Sequence, residues 1–257
     1  ATALLALVPS VLRPLTGAAE DRGLVASSLR LVLTTGEPLL YDDVRRALRH
    51  LAPNAAFVNQ YGPTQCTMTS TFHHAVPAAA AEGGVPLGRP IPGGSAHVLD
   101  AAPGPVPAGV PGEVHIGGSG VASGYVGDPA LTAARFVADP HAAGGRLYKT
   151  GDLVRGRSDG ALEFLGRMDR QIKIRGIRTE PGEAESALRQ HPAVREVAVL
   201  PWEPHPGEQR LAAYVVPHGS ASVDRAALRQ FARQVLPAHL VPAAFVPLTV
   251  LPLTANR

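Results

Sequence analysis

The stretch SLRLVLTTGEPLLYDDVRRALRHLAPNAAFVNQYGPT, residues 28–64, sets the fold class of this chain. It begins with an apolar run, Leu29–Leu33, that is typical of a buried strand. Asp42–His50 follows with apolar residues on one side, which predicts an amphipathic helix. A second short apolar run at 55–62 predicts another strand, and upstream Leu4–Leu12 predicts a helix interrupted near its proline. Strand, turn, helix and strand in this order indicate an α/β layer.

Glycine and proline become dense from Val85 onward, with short apolar runs between them. Two of these runs, Ala96–Leu99 and Glu113–Ile116, predict strands of a β-meander or a barrel. A short helix is predicted over Pro129–Val137. Ser158-Asp159-Gly160 is typical of a hairpin turn. This part of the chain is therefore expected to be mainly antiparallel sheet.

The pattern changes again after Asp169, where QIKIRG (171–176) predicts a strand. Further elements are then predicted in chain order: a helix at Glu183–Gln190, strands at 194–202 and 211–217, and a long amphipathic helix at Ser222–Leu236. They form a small α+β unit. We expect two units, 1–168 and 169–257.

The composition excludes several classes of protein. The net charge is +3, but the arginines are scattered, which does not favour a nucleic-acid surface. The sequence contains no run of about 18 apolar residues, so no transmembrane helix is predicted. Cys66 is the single cysteine, so no disulfide can form within the chain, which fits a reducing, cytoplasmic setting. His73 and His74 lack partners at metal-ligand spacing, and the only lysines are Lys149 and Lys173.

Several short motifs each allow two interpretations. Tyr61-Gly62-Pro63-Thr64 is turn chemistry that could push an aromatic ring and a hydroxyl into a cleft, or form an ordinary surface turn. Thr150-Gly151-Asp152-Leu153 could present a ligand-binding carboxylate, or be a hairpin whose aspartate caps a turn. Arg167 could bind an anion or form a surface ion pair, and Lys173 could be catalytic or a solvated charge on a strand edge.

Taken in order, five stretches carry a more specific signal: LRLVLTTGEPL, NQYGPTQ, GEVHIGGSGVASGYVGDPALTAARFVADP, YKTGDLVRGRSDGALEFLGRMDRQIKIRG and LPAHLVPAAFVPLTVLPLTAN. They resemble the adenylation domains of nonribosomal peptide synthetases, within the acyl-adenylate-forming superfamily. The resemblance covers nearly the whole chain. It implies the later part of a large core subdomain (sheet layer plus a β-barrel-like part), followed by a small mobile lid.

The resemblance also implies a reaction. An amino or related carboxylic acid attacks the α-phosphate of Mg-ATP, giving an acyl-adenylate and pyrophosphate. The acyl group then passes to the phosphopantetheine thiol of a carrier protein. Such a displacement needs positioning and charge neutralisation. The implied partners are the carrier protein, neighbouring synthetase domains and a small activator protein, and the implied cofactors are ATP and Mg²⁺.

Nucleotide-binding roles follow by resemblance for five residues. Tyr61 would pack against adenine beside Gly62, and Thr64 would offer its hydroxyl to the phosphates. Asp152 would accept both ribose hydroxyls, since an ionised carboxylate has lone pairs for two donors. Arg167 would lie near the ribose and phosphate.

Other roles concern the lid and the acyl pocket. Asp169 resembles the hinge, and Lys173 and Gly176 would lie on the face presented for thioester formation. A glycine would allow the pantetheine arm to approach closely. The residues expected to line the acyl pocket are uncharged, which favours a neutral substrate side chain, although several could equally be core residues: Ser10, Leu33, Thr35, Gln60, Met68 and Thr69.

Three departures from the family pattern matter. The first is Gln65, which stands where a glutamate usually helps hold Mg²⁺; the replacement of a common arginine by Ser123 is only a minor change. The usual ending is PLTxNGK, but here PLTAN runs directly into Arg257 and no lysine follows Lys173. Three explanations are open: a Gly-Lys-containing loop belongs between Asn256 and Arg257, the sequence stops short of the lysine, or the protein lacks it. We favour the loop, with Arg257 lying beyond it. We expect the phosphate-binding loop and the aspartate that grips the substrate amine to precede Ala1, so this chain alone should be inactive.

Three functions therefore compete. The first is part of an amino-acid-activating ligase. The second is a catalytically degenerate adenylation module that acts as a scaffold within a synthetase, which the neutral Gln65 and the absent lysine favour. The third, a piece of a free-standing acyl-CoA ligase, is disfavoured by the QIKIRGIRTEPGEAE and LPAHLVP stretches.

Overall fold

The computed structural model describes residues 3–77, 82–140, 142, 144–169, 171–174, 176–205, 208–218 and 224–252. The chain divides into two compact units, Ala1–Asp169 and Arg170–Arg257. The sequence placed the division between residues 168 and 169. Within the described residues, no helix has both the length and the apolar character to cross a membrane.

The first sheet has five strands in the order in which they occur along the chain. The strands are β1 (Ala3–Leu7), β2 (Leu29–Thr35), β3 (Ala56–Tyr61), β4 (Thr71–His74) and β5 (Arg89–Pro90). The first three are parallel, and β4 and β5 are antiparallel to their neighbours. Helix α1 (Pro9–Arg22) joins β1 to β2, and α2 (Tyr41–His50) joins β2 to β3. This confirms the predicted α/β layer.

The helices cover one face of this sheet. Their apolar residues form a core with Val32 and Phe57 from the strands. The members contributed by the helices are Leu12, Ala19, Val44 and Ala47. In β2, Val32 and Thr34 are fully buried, whereas Leu33 and Thr35 are only partly buried. Because side chains alternate along a strand, Leu33 and Thr35 face away from the helices.

The prediction of a helix over Leu4–Leu12 is wrong in its first half. Ala3–Leu7 is a strand, and it pairs with β2 in parallel. The helix begins only at Pro9, where a missing N–H costs nothing because the first turn has no intrahelical acceptor for it. A short apolar run has no periodicity that separates a strand from a buried helix.

The second sheet of the first unit is antiparallel. Its strands are β6 (Gly94–Leu99), β7 (Pro111–Gly118), β8 (Phe136–Ala138), β9 (Arg146–Gly156) and β10 (Leu162–Arg167). The order is β10-β9-β7-β6, and β8 also pairs with β9. The meander is thus open, and the described strands close no barrel. The sheet buries Val114, Ile116, Tyr148 and Val154 in one core.

Two local predictions in this part have different outcomes. The turn at Ser158-Asp159-Gly160 joins β9 to β10, and the positive φ of Gly160, 79°, suits a glycine. The predicted helix over Pro129–Val137 is too long. Helix α3 (Pro129–Arg135) ends at Arg135, because Phe136 already pairs with Tyr148 in the sheet.

The second unit is a small α+β structure. Its elements are β11 (Ile172–Ile174), β12 (Ile177–Thr179), α4 (Pro181–Leu188), β13 (Val194–Trp202), β14 (Arg210–Pro217), α5 (Arg225–Val235) and β15 (Ala244–Pro247). β11 and β12 form a hairpin, and the other strands form a sheet in the order β13-β14-β15. Asp224 caps α5 by accepting from the N–H groups of Ala226 and Ala227. The predicted helix start at Ser222 lies outside the described residues.

Candidate active site

The carboxyl ends of three parallel strands bring predicted pocket residues to one edge. Ser10 follows β1, Thr35 ends β2, and Gln60 lies near the end of β3. Thr35 is the register partner of Gln60, so their side chains share a face, and Leu33 shares it too. In open α/β sheets, ligands bind at this edge. The topology therefore groups four of the six predicted pocket residues.

Ser10 is hydrogen-bonded to Glu37, a contact that the sequence did not indicate. Its N–H donates to Glu37 Oε2 at 2.8 Å, and its hydroxyl donates to Glu37 Oε1 at 3.0 Å. The carboxylate thus ties the start of α1 to the turn after β2. With its proton used, the Ser10 hydroxyl can only accept a hydrogen bond from a ligand.

The Tyr61–Thr64 turn folds back on itself. The Ser70 N–H donates to the Tyr61 carbonyl at 2.8 Å. A Cβ at Gly62 would lie 2.6 Å from the Met68 carbonyl oxygen, so only glycine fits. Thr64 is exposed at the start of a short 3-10 helix, Thr64–Cys66. The loop is therefore compact and closely packed.

Two predicted pocket residues lie further along this loop. Met68 is 64% exposed, with a φ of 67°, and Thr69 is partly buried. The loop does not place the Met68 side chain among buried residues. Thr35 and Gln60, by contrast, are partly buried.

Tyr61 is buried, not displayed on the surface. The residue is 6% exposed and packs with Cys66, Leu87 and Val114. Its hydroxyl donates to Asp152 Oδ2 at 2.5 Å. Burial, and then the nearby Asp152 charge, raise the pKa of the Tyr61 phenol well above its ordinary value. The phenol therefore stays protonated and acts as a donor to the carboxylate.

Asp152 is held from two sides. Besides Tyr61, the Arg167 Nη1 donates to Asp152 Oδ1. Arg167 also makes a bidentate pair with Asp169, with Nε–Oδ1 and Nη2–Oδ2 both at 2.7 Å. Burial lowers the pKa of Arg167, but Asp169 and Asp152 outweigh burial and keep the pKa raised. The guanidinium is a permanent cation between two carboxyl groups.

Gly151 makes room for this cluster. Its φ is 73°, which glycine adopts without strain. A Cβ there would lie 2.8 Å from Arg167 Nη2 and 3.1 Å from Asp169 Oδ2. The positive φ therefore favours glycine in the Thr150-Gly151-Asp152 motif, and the absence of a Cβ leaves space for the Arg167 guanidinium.

Gln65 carries an unsatisfied acceptor. Its Oε1 is buried and has no hydrogen-bond partner among the described residues. Its backbone carbonyl accepts from the Ala122 N–H at 2.9 Å, which fixes the residue against the loop after β7. An orphaned amide oxygen fits a hard cation such as Mg²⁺, for which oxygen is the preferred ligand. Within the described ranges, no group of three or more His, Cys, Asp or Glu residues could hold a metal.

The predicted lid residues occupy the first hairpin of the second unit. Lys173 lies in β11 and is partly buried, and Gly176 lies in the turn with a φ of 77°. Asp169, the predicted hinge, is the last residue of the first unit. Arg257 lies outside the described residues.

Comparison with known proteins identifies the family. Residues 2–126 match the model for the AMP-binding enzyme, and residues 183–257 match the AMP-binding enzyme C-terminal domain. The chain is 42% identical over 237 residues to tyrocidine synthase 3 of Brevibacillus parabrevis, covering 92% of this chain and 4% of that protein. The chain is part of a nonribosomal peptide synthetase adenylation domain.

Solved adenylation domains share this fold. AlmE of Vibrio cholerae, solved in complex with glycyl-adenosine-5'-phosphate, matches with a TM-score of 0.82 and 28% identity, over 97% of this chain and 47% of that one. An artificially fused adenylation–PCP di-domain, NpsA-ThdA of Klebsiella oxytoca, matches with a TM-score of 0.79 and 29% identity, over 94% and 44%. This adenylation-domain chain thus spans about half the length of these solved relatives, and a small part of the curated synthetase.

Proposed function

We propose that this adenylation domain activates an amino or related carboxylic acid with Mg-ATP and passes the acyl group to the phosphopantetheine thiol of a carrier protein. The observation that carries the proposal is the buried cluster of Tyr61, Asp152 and Arg167, which joins motifs from two separate sheets. Such a preorganised set of donors and acceptors suits a reaction that needs positioning.

In this proposal Asp152 receives the ribose. Each carboxylate oxygen has two lone pairs, and each already accepts one bond, from Tyr61 or Arg167. One lone pair on each oxygen remains for a ribose hydroxyl. Tyr61 would offer adenine only a small part of its ring, since 6% of the residue is exposed.

The phosphates would lie toward the Thr64–Cys66 turn. The exposed Thr64 hydroxyl would donate to them, and Arg167, which is already paired with Asp152 and Asp169, would lie near the ribose and phosphate. Gln65 Oε1 would hold Mg²⁺. Bound Mg²⁺ supplies further neutralisation of phosphate charge.

The acid would bind at the carboxyl edge of the parallel sheet. Leu33, Thr35 and Gln60 present no formal charge there. A charged substrate side chain would lose its hydration without an ionic partner from these three residues, and the Glu37 carboxylate at this edge already accepts from the Ser10 N–H and hydroxyl, so a neutral side chain is favoured. Lys173 and Gly176 would act in the thioester-forming state, and Asp169 would be the hinge between states.

The partners in this proposal are a carrier protein, neighbouring synthetase domains and a small activator protein. A fused adenylation–PCP protein among the structural relatives supports the first of these.

The degenerate scaffold is the second candidate, and Gln65 favours it because an amide brings no charge to the cation. The intact Tyr61–Asp152–Arg167 cluster favours the enzyme. A scaffold has no need of a nucleotide carboxylate.

Pyrophosphate exchange in the intact synthetase, with a panel of amino acids, tests the proposal. The wild type should exchange with at least one neutral amino acid, and Asp152→Ala should abolish exchange. Asp42→Ala removes a carboxylate that is 69% exposed on α2 and serves as the matched control. Unchanged exchange in Asp152→Ala would refute the ribose role, and no exchange with any acid in the wild type would favour the scaffold.

A further inference from the structure

The strand that carries Asp152 bulges where it passes β7. The register pairs Glu113 with Leu153 and His115 with Lys149. Between these pairs, β7 supplies one residue, Val114, and β9 supplies three, Thr150, Gly151 and Asp152. Two extra residues therefore leave the regular ladder, and their backbone groups need other partners.

Side chains at the base of the bulge supply those partners. The Thr150 hydroxyl donates to the Val114 carbonyl at 2.7 Å, and the Asp152 N–H donates to Thr150 Oγ1 at 3.0 Å. The Gly151 N–H donates to Glu113 Oε1 at 2.8 Å. A carboxylate from β7 thus takes the place of a backbone acceptor at the central residue of the bulge.

Glu113 is itself held by a buried neighbour. Its Oε2 lies 3.3 Å from His115 Nε2, and the two side chains are 14% and 4% exposed. His115 Nδ1 is buried and has no hydrogen-bond partner among the described residues, so Nε2 is the ring nitrogen that holds the Glu113 carboxylate.

Glu113 is a charged acceptor at neutral pH. Burial raises the pKa of its carboxyl, but the hydrogen bonds from His115 and from the Gly151 N–H, with the charge of Lys149, lower the pKa below its ordinary value. An ionised acceptor makes a stronger hydrogen bond to an N–H than a neutral one.

We infer that Glu113 is a positioning residue for nucleotide binding, and that His115 fixes its orientation. Glu113 anchors the Gly151 amide, Gly151 sets the direction of the bulge, and the bulge aims the Asp152 carboxylate between Tyr61 and Arg167. Among the described residues, Glu113 makes no hydrogen bond to Asp152. The inference rests on the proposed function, in which Asp152 binds the ribose.

The test compares Glu113→Ala and Glu113→Gln in the intact synthetase. The alanine should raise KM for ATP about tenfold or more, because a small displacement of a binding group is costly. KM for the amino acid and the melting temperature of the second unit should change little. The glutamine amide oxygen can still accept from Gly151, and its NH2 group can donate to His115 Nε2 when that imidazole carries its proton on Nδ1, so glutamine should restore KM for ATP to within about threefold.

Glu163→Ala is the matched control. Glu163 also lies in this antiparallel sheet, but its pair with Arg155 at 2.7 Å is on the surface, with side chains 37% and 42% exposed. This variant should keep the wild-type KM for ATP. A wild-type KM in Glu113→Ala, or a glutamine variant as impaired as the alanine, would overturn the positioning role.

A readout independent of activity separates this inference from the proposed function. Amide hydrogen exchange of the segment 147–153 should speed up in Glu113→Ala and not in Glu113→Gln or Glu163→Ala. If the wild type shows no pyrophosphate exchange, the proposed function fails. In that case, unchanged amide hydrogen exchange of the segment 147–153 in Glu113→Ala would still disprove that Glu113 anchors Gly151. Faster amide hydrogen exchange would show that Glu113 supports the bulge.

Discussion

The Tyr61 hydroxyl lies 2.5 Å from Asp152 Oδ2, although 91 residues separate the two in sequence. Tyr61 ends β3 of the first, mixed sheet, and Asp152 lies in the bulge of β9 in the second, antiparallel sheet. Both residues are buried, at 6% and 4% exposure. The bond therefore joins the two sheets of the first unit at the place where the nucleotide is proposed to bind.

Removing the Tyr61 hydroxyl tests how much its hydrogen bond to Asp152 contributes to stability. Tyr61→Phe leaves a buried carboxylate oxygen without its donor, which should lower the free energy of unfolding by about 1–3 kcal/mol. Urea denaturation of the first unit's transition measures the change. Tyr125→Phe is the control, since its hydroxyl lies 3.2 Å from the neutral Tyr148 hydroxyl and its loss should cost about 1 kcal/mol. Equal effects of the two variants would contradict the proposed importance of the charged acceptor.

Substitution of Arg167 should lower the free energy of unfolding more than Tyr61→Phe does. Arg167→Gln leaves Asp152 buried without its cation, and breaking a buried pair costs about 3–5 kcal/mol. Arg167→Lys keeps the charge but loses the fork that reaches both Asp152 and Asp169, so it should recover only part of the loss. Chemical denaturation measures the series.

Arg155→Gln is the matched change for that series. It breaks a surface pair with Glu163, whose side chains are 42% and 37% exposed, and should cost under about 1 kcal/mol. A loss as small in Arg167→Gln would show that the Asp152 cluster is not held by the guanidinium.

Cys66 should make stability depend on alkaline pH. Burial raises the pKa of its thiol to about 12. The unfolded thiol ionises at a lower pH than the folded one, so its stabilising contribution is complete below the unfolded pKa and is lost as the pH rises from there toward 12. By this linkage the wild type should lose about 1.5–2 kcal/mol between pH 8 and pH 10 relative to Cys66→Ala. If the free energy of unfolding changes equally with pH in the two proteins, the Cys66 thiol does not have a raised pKa in the folded chain.

The same burial should slow alkylation. With so little thiolate at neutral pH, Cys66 should react with iodoacetamide far more slowly in the folded chain than in urea. Mass spectrometry of the modified chain measures both rates. Equal rates would mean that the thiol is accessible.

Gln65 predicts the Mg²⁺ dependence of the reaction. Gln65→Glu adds a negative charge at the orphaned Oε1 position, and it should lower the Mg²⁺ concentration for half-maximal pyrophosphate exchange by about threefold to tenfold. Gln190→Glu, at an exposed position after α4, adds the same charge away from the site. An unchanged Mg²⁺ dependence in Gln65→Glu would remove this residue from the metal site.

The local hydrophobic pattern of the sequence predicted many of the strands and helices correctly. The strand predicted over 194–202 has those bounds in the structure, and α2 begins one residue before the predicted Asp42. These elements have clear periodicity or long apolar runs, so a window of neighbours reports their burial. Leu4–Leu12 has neither, and its first half became a strand because β2 was available to pair with it.

The family, the α/β layer and the chemistry-bearing motifs could be predicted from the sequence, because motif order and residue type are properties of the chain alone. The sequence did not indicate the clamp between Ser10 and Glu37, or the hold of Glu113 on Gly151. Those contacts depend on which residues face each other across paired strands and turns 27 and 38 positions apart. Only the tertiary structure sets that pairing, since the side-chain period tells which residues are buried and not which partner each one meets.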